Sequence, residues 1–84
     1  MDERLDTLVE ELEISVRSWN ILHQAGIVYL GELVQWRPED LLDRPSSGQK
    51  VVNELREYVT SMGFALGMEL PEWKRPDGAP VARP

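Results

Sequence analysis

Two groups of residues in this 84-residue protein have side chains that could do chemistry. Arg17, Asn20, Ile21 and Gln24 stand at i, i+3, i+4 and i+7, so a helix through them puts a guanidinium and two amides on one face. Such groups hydrogen-bond to phosphate oxygens and to acceptors in the minor groove of a duplex. Without a ligand they would be an ordinary solvated helix face. The second group is Pro45-Ser46-Ser47-Gly48, followed by Gln49-Lys50. A glycine turn feeding a helix leaves free N–H groups and the positive end of the dipole pointing outward, and Lys50 adds a full charge in the first turn. That is an anion site, or, with no anion, a capped helix–turn–helix corner.

Composition narrows the field. There are no cysteines and one histidine, His23, so disulfides, thiol catalysis, cysteine-based metal sites and histidine-rich metal sites or histidine pairs are excluded. Carboxylates alone would hold a hard cation only if several shared one loop. No serine has a base near it in sequence. No metal, cofactor or catalytic constellation is therefore expected, and a single small core leaves little room for an enclosed enzyme pocket. No apolar run approaches the length of a membrane span, and Met1-Asp2-Glu3-Arg4 does not open a secretory signal. Hydrophobic residues at 42% and charged residues at 29% fit a globular binding module. The net charge of −6 is concentrated in residues 1–14, where Asp2, Glu3, Asp6, Glu10, Glu11 and Glu13 face only Arg4. The middle of the sequence is nearly neutral, so a local basic face is compatible with the acidity. Few cations are spare, so nucleic-acid binding would be weak.

The elements that must position these residues can be read from periodicity. Leu5, Leu8, Val9 and Leu12 predict a helix over 3–11 with an acidic first turn. Ser15 is a good N-cap for a helix from Val16 to about Ala25, with Gly26 as its left-handed stop. Ile27-Val28-Tyr29 is β-prone but has no comparable run to pair with, so an extended connector is expected. A short helix follows at about Leu30–Gln35 and another from Pro38, a plausible first helical residue, to Leu42. Val51, Val52, Leu55, Tyr58, Val59 and Met62 predict a longer helix from Gln49 to Met62, stopped by Gly63. Phe64-Ala65-Leu66-Gly67-Met68 should fold back on the core. From Pro71 the sequence has four prolines and few apolar residues, which predicts disorder beyond Trp73. The fold expected is all-α, a compact bundle of four to five short helices at 1–70 with a Pro-rich tail at 71–84. Trp36 and Trp73 are read as packing lids and His23 as a solvated residue. Trp19 is read as partly buried, because Val16, Trp19 and Leu22 lie at helical spacing on one side.

Several strings together are more specific than any of these features alone. Leu12-Glu13-Ile14-Ser15-Val16-Arg17-Ser18-Trp19-Asn20-Ile21-Leu22 resembles the opening of the C-terminal domain of the bacterial RNA polymerase alpha subunit. So do Gly31-Glu32-Leu33-Val34-Gln35, Leu41-Leu42, Gly48-Gln49-Lys50-Val51-Val52-Asn53-Glu54-Leu55 and the closing Gly63-Phe64-Ala65-Leu66-Gly67-Met68. The resemblance covers about residues 8–73, in order and with matching spacing. It implies a helical domain with a helix-hairpin-helix-like unit that binds A/T-rich minor groove and is touched by sigma factor and activators. It also implies RNA polymerase as the parent assembly and a bacterial, cytoplasmic, nucleoid-associated location. By the resemblance, Arg17, Asn20, Ile21, Gly48, Lys50 and Glu54 are the DNA-binding positions, while Val9, Glu11 and Glu13 form a sigma-contacting patch.

Departures from the family pattern are equally specific. Where the family commonly has two basic residues and a serine after the loop glycine, this sequence has Gln49-Lys50-Val51, so one cation and one hydroxyl are missing. The loop asparagine and the apolar residue after it are Ser46 and Ser47. A small residue beside the arginine is replaced by Trp19, and His23 stands where lysine is frequent. The activator-contacting stretch around Arg37–Asp40 does not match closely. The rival expectation is a protein-interaction domain of the same fold with weak or lost DNA binding. The sequence could equally be a piece of a longer alpha subunit or a short gene product.

Overall fold

Ser15 opens the first helix as its sequence context demands: its Oγ accepts the Ser18 amide at 3.1 Å. In the computed structural model, which describes residues 2–84, that helix is α1, Val16–Gln24, and it is followed by α2, Leu30–Leu33, α3, Pro38–Leu42, and α4, Gln49–Ser61. Gly26 at φ 78° and Gly63 at φ 87° take the left-handed conformation after α1 and α4, where a side chain would be strained. Pro38 occupies the first turn of α3, where its missing N–H costs nothing. The architecture is all-helical, with no strand among the described residues.

The helix predicted over 3–11 is instead two 3-10 turns, Glu3–Asp6 and Val9–Glu11, broken at Thr7-Leu8. The break has a partner. Leu8 forms an isolated antiparallel bridge with Tyr29, in which the Val9 amide donates to Val28 O and the Leu30 amide donates to Thr7 O, both at 2.8 Å. The 27–29 connector is extended, as read, and what it pairs with is the arm rather than a second β-prone run. The apolar stripe still works: Leu5, Val9 and Leu12 are buried.

The core is one cluster, with Leu22, Leu30, Leu33, Val34, Leu41, Leu55 and Val59 sealed from solvent. α1 and α3 both pack on α4. Phe64–Met68 folds back as expected, with the Gly67 and Met68 amides donating to Trp36 O and Val34 O at 2.9 Å.

The segment past Trp73 departs from expectation. Rather than a disordered tail at 71–84, the structure shows it lying on the body around Glu32. This carboxylate is wholly buried. Its Oε1 accepts the Val28 and Tyr29 amides at 2.8 and 3.0 Å, and its Oε2 accepts Arg75 Nη1 at 3.2 Å and the Ala82 amide at 2.7 Å. Trp36 Nε1 donates to Ala82 O at 2.9 Å, and Trp73 lies against Gly31 with its Nε1 on Asp6 Oδ1 at 3.0 Å. A buried carboxylate left unpaired costs several kcal/mol, by a general order-of-magnitude rule; these polar partners therefore hold the tail, together with Val81 and Ala82 packed against the core.

Candidate nucleic-acid interface

The arginine face of α1 and the turn before α4 converge. Val16, Arg17, Asn20, Ile21 and Gln24 line a shallow groove together with Ser46. Arg17 Nη2 donates to Ser46 O across it at 3.3 Å, a long bond between exposed partners. Beside this groove a second one is lined by Ser15, Arg17, Lys50, Val51 and Glu54. Arg17 therefore stands between the helix face and the turn, with Lys50 on its far side. Both cations are exposed, and neither is within ion-pair distance of a carboxylate among the described residues.

Local sequence explains the positions. Ser46 is the residue of the turn with positive φ, 65°. That conformation is uncommon for a side chain larger than glycine, and it aims the carbonyl at α1. Gly48 is extended, at φ −160° and ψ 173°, and caps α4. Nothing lies within 4 Å of where its Cβ would be, so the space in front of the turn is open. Two donors at the turn, Arg44 Nε and Ser47 Oγ, are buried without a hydrogen-bond partner. Arg44 Nη2 reaches toward Gln24 O at 3.5 Å, which ties the segment before the turn to the end of α1. Sequence reading missed Arg44, because one arginine before a proline carries no pattern.

Glu54 sits apart from the exposed set. Its carboxylate accepts the Ser15 amide at 3.1 Å, Ser15 Oγ at 2.8 Å and the buried Ser18 Oγ. These bonds, that from Ser18 first, hold its pKa below the ordinary glutamate value against the opposing effect of partial burial. Its oxygens are thus occupied in tying the start of α1 to the middle of α4, two residues from Arg17. Ile21 is 3% exposed and forms part of the floor of the groove. Val51 is 4% exposed and belongs to the core, so the hydroxyl missing from this position would face inward.

The acidic patch is divided in the same way. Glu11 and Glu13 are exposed, but Val9 is 4% exposed and packs into the core from the second 3-10 turn. A partner can meet the two carboxylates and not the valine. Trp19 is half-buried, as read, though not because it shares an inward side with Val16, which is 76% exposed. Trp19 lies on the edge of α1 away from Arg17, stacked on exposed His23 with ring centroids 4.8 Å apart. Trp36 and Trp73 are buried, as lids should be.

Among the described residues no cluster of three or more histidine, cysteine or acidic side chains could hold a metal ion, and no helix is long and apolar enough to cross a membrane. Compared with known families, residues 1–61 match the model of the family described as the C-terminal domain of the bacterial RNA polymerase alpha chain.

Proposed function

The protein belongs to the family of C-terminal domains of the bacterial RNA polymerase alpha chain, and from that premise we propose that it binds A/T-rich duplex DNA through the minor groove. Membership carries a role in transcription and makes the domain a non-catalytic part of the polymerase that contacts DNA. In the finer reading, Arg17 enters the narrow groove of an A-tract, where negative potential is enhanced. Asn20 hydrogen-bonds beside it, and the open turn at Gly48 with Lys50 meets the phosphates of one strand. Ile21 supports that surface from behind, and Glu54 acts through Ser15 and Ser18 by fixing the start of α1. Glu11 and Glu13 take a basic surface of sigma factor or an activator. The location implied is the bacterial cytoplasm, at the nucleoid.

The observation that carries this reading is the meeting of Arg17 and Ser46 across one groove, with Lys50 adjoining it. The test is a titration of isotope-labelled protein with A/T-rich and G/C-rich duplexes at two salt concentrations. Shifts should cluster at Arg17, Asn20 and Ser46–Lys50, favour the A/T-rich duplex and vanish for Arg17→Ala. Shifts elsewhere, or equal binding by Arg17→Ala, would falsify the proposal. The net charge of −6 and the exposed acidic arm favour a second reading, an interaction domain with little DNA affinity. It predicts no duplex binding, and loss of sigma binding in a pull-down when Glu11→Lys is combined with Glu13→Lys.

A further inference from the structure

At the start of α1, the second 3-10 turn and the approach to the helix leave a groove on the Trp19 side that none of the described residues fills. It is lined by Glu10, Leu12, Ile14, Val16 and Trp19. Its walls are apolar: Ile14 and Trp19 are only partly covered, and Val16 is the most exposed of the large hydrophobic residues. An aliphatic residue this exposed, beside an indole, is apolar surface awaiting a partner. The indole is also held in place. His23 stacks on its face with the ring planes 12° apart, so an incoming group does not have to order it.

The rim is acidic. Glu10 lines the groove, and Glu11 and Glu13 flank it in sequence; all three are exposed, and none is ion-paired among the described residues. Charge and shape therefore select the same occupant. We propose that this groove is a docking surface for a basic protein segment that inserts one apolar side chain against Trp19 and Val16, with its cations on Glu10 and Glu13. DNA is excluded from this face by the rim, since phosphates would meet carboxylates. This docking surface rests on the proposed reading of Glu11 and Glu13 as a partner-facing patch and adds the apolar anchor to it; the groove borders the proposed DNA groove at Val16, which lines both, while Trp19 faces away from Arg17.

The probe is a synthetic capped peptide of six lysines with two central leucines, titrated into isotope-labelled protein. Shifts should appear at Leu12, Ile14, Val16 and the Trp19 indole, with Asn20, Ser46 and Lys50 still. A peptide with serines for the leucines should bind about tenfold more weakly, which separates anchoring from simple charge attraction. Val16→Arg places a repelling cation at an exposed site that folding does not need, and it should weaken binding by a similar factor. Trp19→Ala should abolish it, while Arg17→Ala should leave it unchanged. Equal binding of the serine peptide, shifts centred on other acids such as Glu69 and Glu72, or an unaffected Val16→Arg would overturn the proposal. So would self-association through these residues without peptide, which would make the occupant a second copy of the protein.

Discussion

Glu54→Gln separates a residue that touches DNA from one that positions the residue that does. Glutamine keeps the size of the side chain and one acceptor oxygen, but loses the charge that attracts the Ser15 amide, Ser15 Oγ and Ser18 Oγ. Hydrogen bonds to a charged group are worth about 1.5–3 kcal/mol, and part of that interaction survives in the amide, so a loss of about 1–2 kcal/mol is expected. In a domain of this size that lowers Tm by roughly 5–15 °C. The effect on DNA has a diagnostic sign. Removing a negative charge beside a phosphate-binding surface would by itself strengthen binding. If Glu54 instead fixes the start of α1, its loss lets Arg17 wander, and affinity should fall about three- to tenfold. The slope of log K against log salt should stay the same, because no phosphate contact is removed; a lost contact would flatten it by about 0.9. The pH dependence gives an independent check. The folded pKa of Glu54 lies below its ordinary value, so its contribution is present above the unfolded pKa and disappears as pH falls through the folded one. Acidification through and below the ordinary glutamate range should therefore erode wild-type stability more than that of the glutamine variant. The assays are thermal melts across pH and duplex titration at several salt concentrations. Tighter DNA binding by Glu54→Gln, or a flatter salt slope, would refute the positioning role.

The other expectations are equally direct. Gly31→Ala puts a methyl group 2.6 Å from Trp73 Cζ2; the indole must leave its seat, with a loss of roughly 2–4 kcal/mol in urea denaturation and a red-shifted tryptophan emission. Ser46→Gly relieves the positive φ while keeping the carbonyl that Arg17 uses, and should stabilise the fold by about 0.5–1 kcal/mol with DNA binding intact. Gln49→Lys, at an exposed site, should steepen the salt slope of duplex binding by about 0.9. Val51→Ser should not help, because it opens the core and costs about 1–3 kcal/mol in the same denaturation assay. Trp19→Ala should leave duplex affinity unchanged in titration, since the indole is on the far edge of α1.

What the sequence made legible was whatever depended on near neighbours. Ser15, Gly26, Pro38 and Gly63 announce the ends of helices through their own conformational preferences, and the structure follows them. The convergence of α1 with the turn was legible only through the family resemblance, since nothing between residues 17 and 46 states that they meet. Long-range polar contacts were invisible. Glu32 reads as one more acid on a short helix, yet it binds Arg75 and the Ala82 amide across more than forty residues and so decides the fate of the tail. The arm was misread for a related reason. Leu5, Leu8, Val9 and Leu12 fit a helix, but the bridge from Leu8 to Tyr29 competes for the same backbone, and local propensity carries no record of such a competitor. Val9 and Val51 show the same limit at the candidate site: their inward orientation is a property of packing that their positions in the sequence do not state.

The two proposed surfaces also bear on each other through α1. A helix of nine residues has room for a core stripe, here Ser18, Ile21 and Leu22, and for one edge on either side of it. Arg17, Asn20 and Gln24 occupy one edge and Trp19, stacked on His23, the other, with the exposed Val16 between them lining both grooves. A large indole so near the arginine in sequence therefore does not crowd the approach to DNA, because successive helical residues diverge by about 100°. The charges divide the same way, with Arg17 and Lys50 on the first edge and Glu10, Glu11 and Glu13 beside the second. A duplex on one edge and a basic protein segment on the other would meet complementary fields, with Val16 the one groove residue they share. The acidity of the whole protein then bears less on DNA than its net charge suggests, since most of it lies on the arm that borders the Trp19 edge. Simultaneous addition of an A/T-rich duplex and the leucine-bearing lysine peptide should accordingly give both sets of shifts at once in wild-type protein. Displacement of one by the other would show that the edges are not independent.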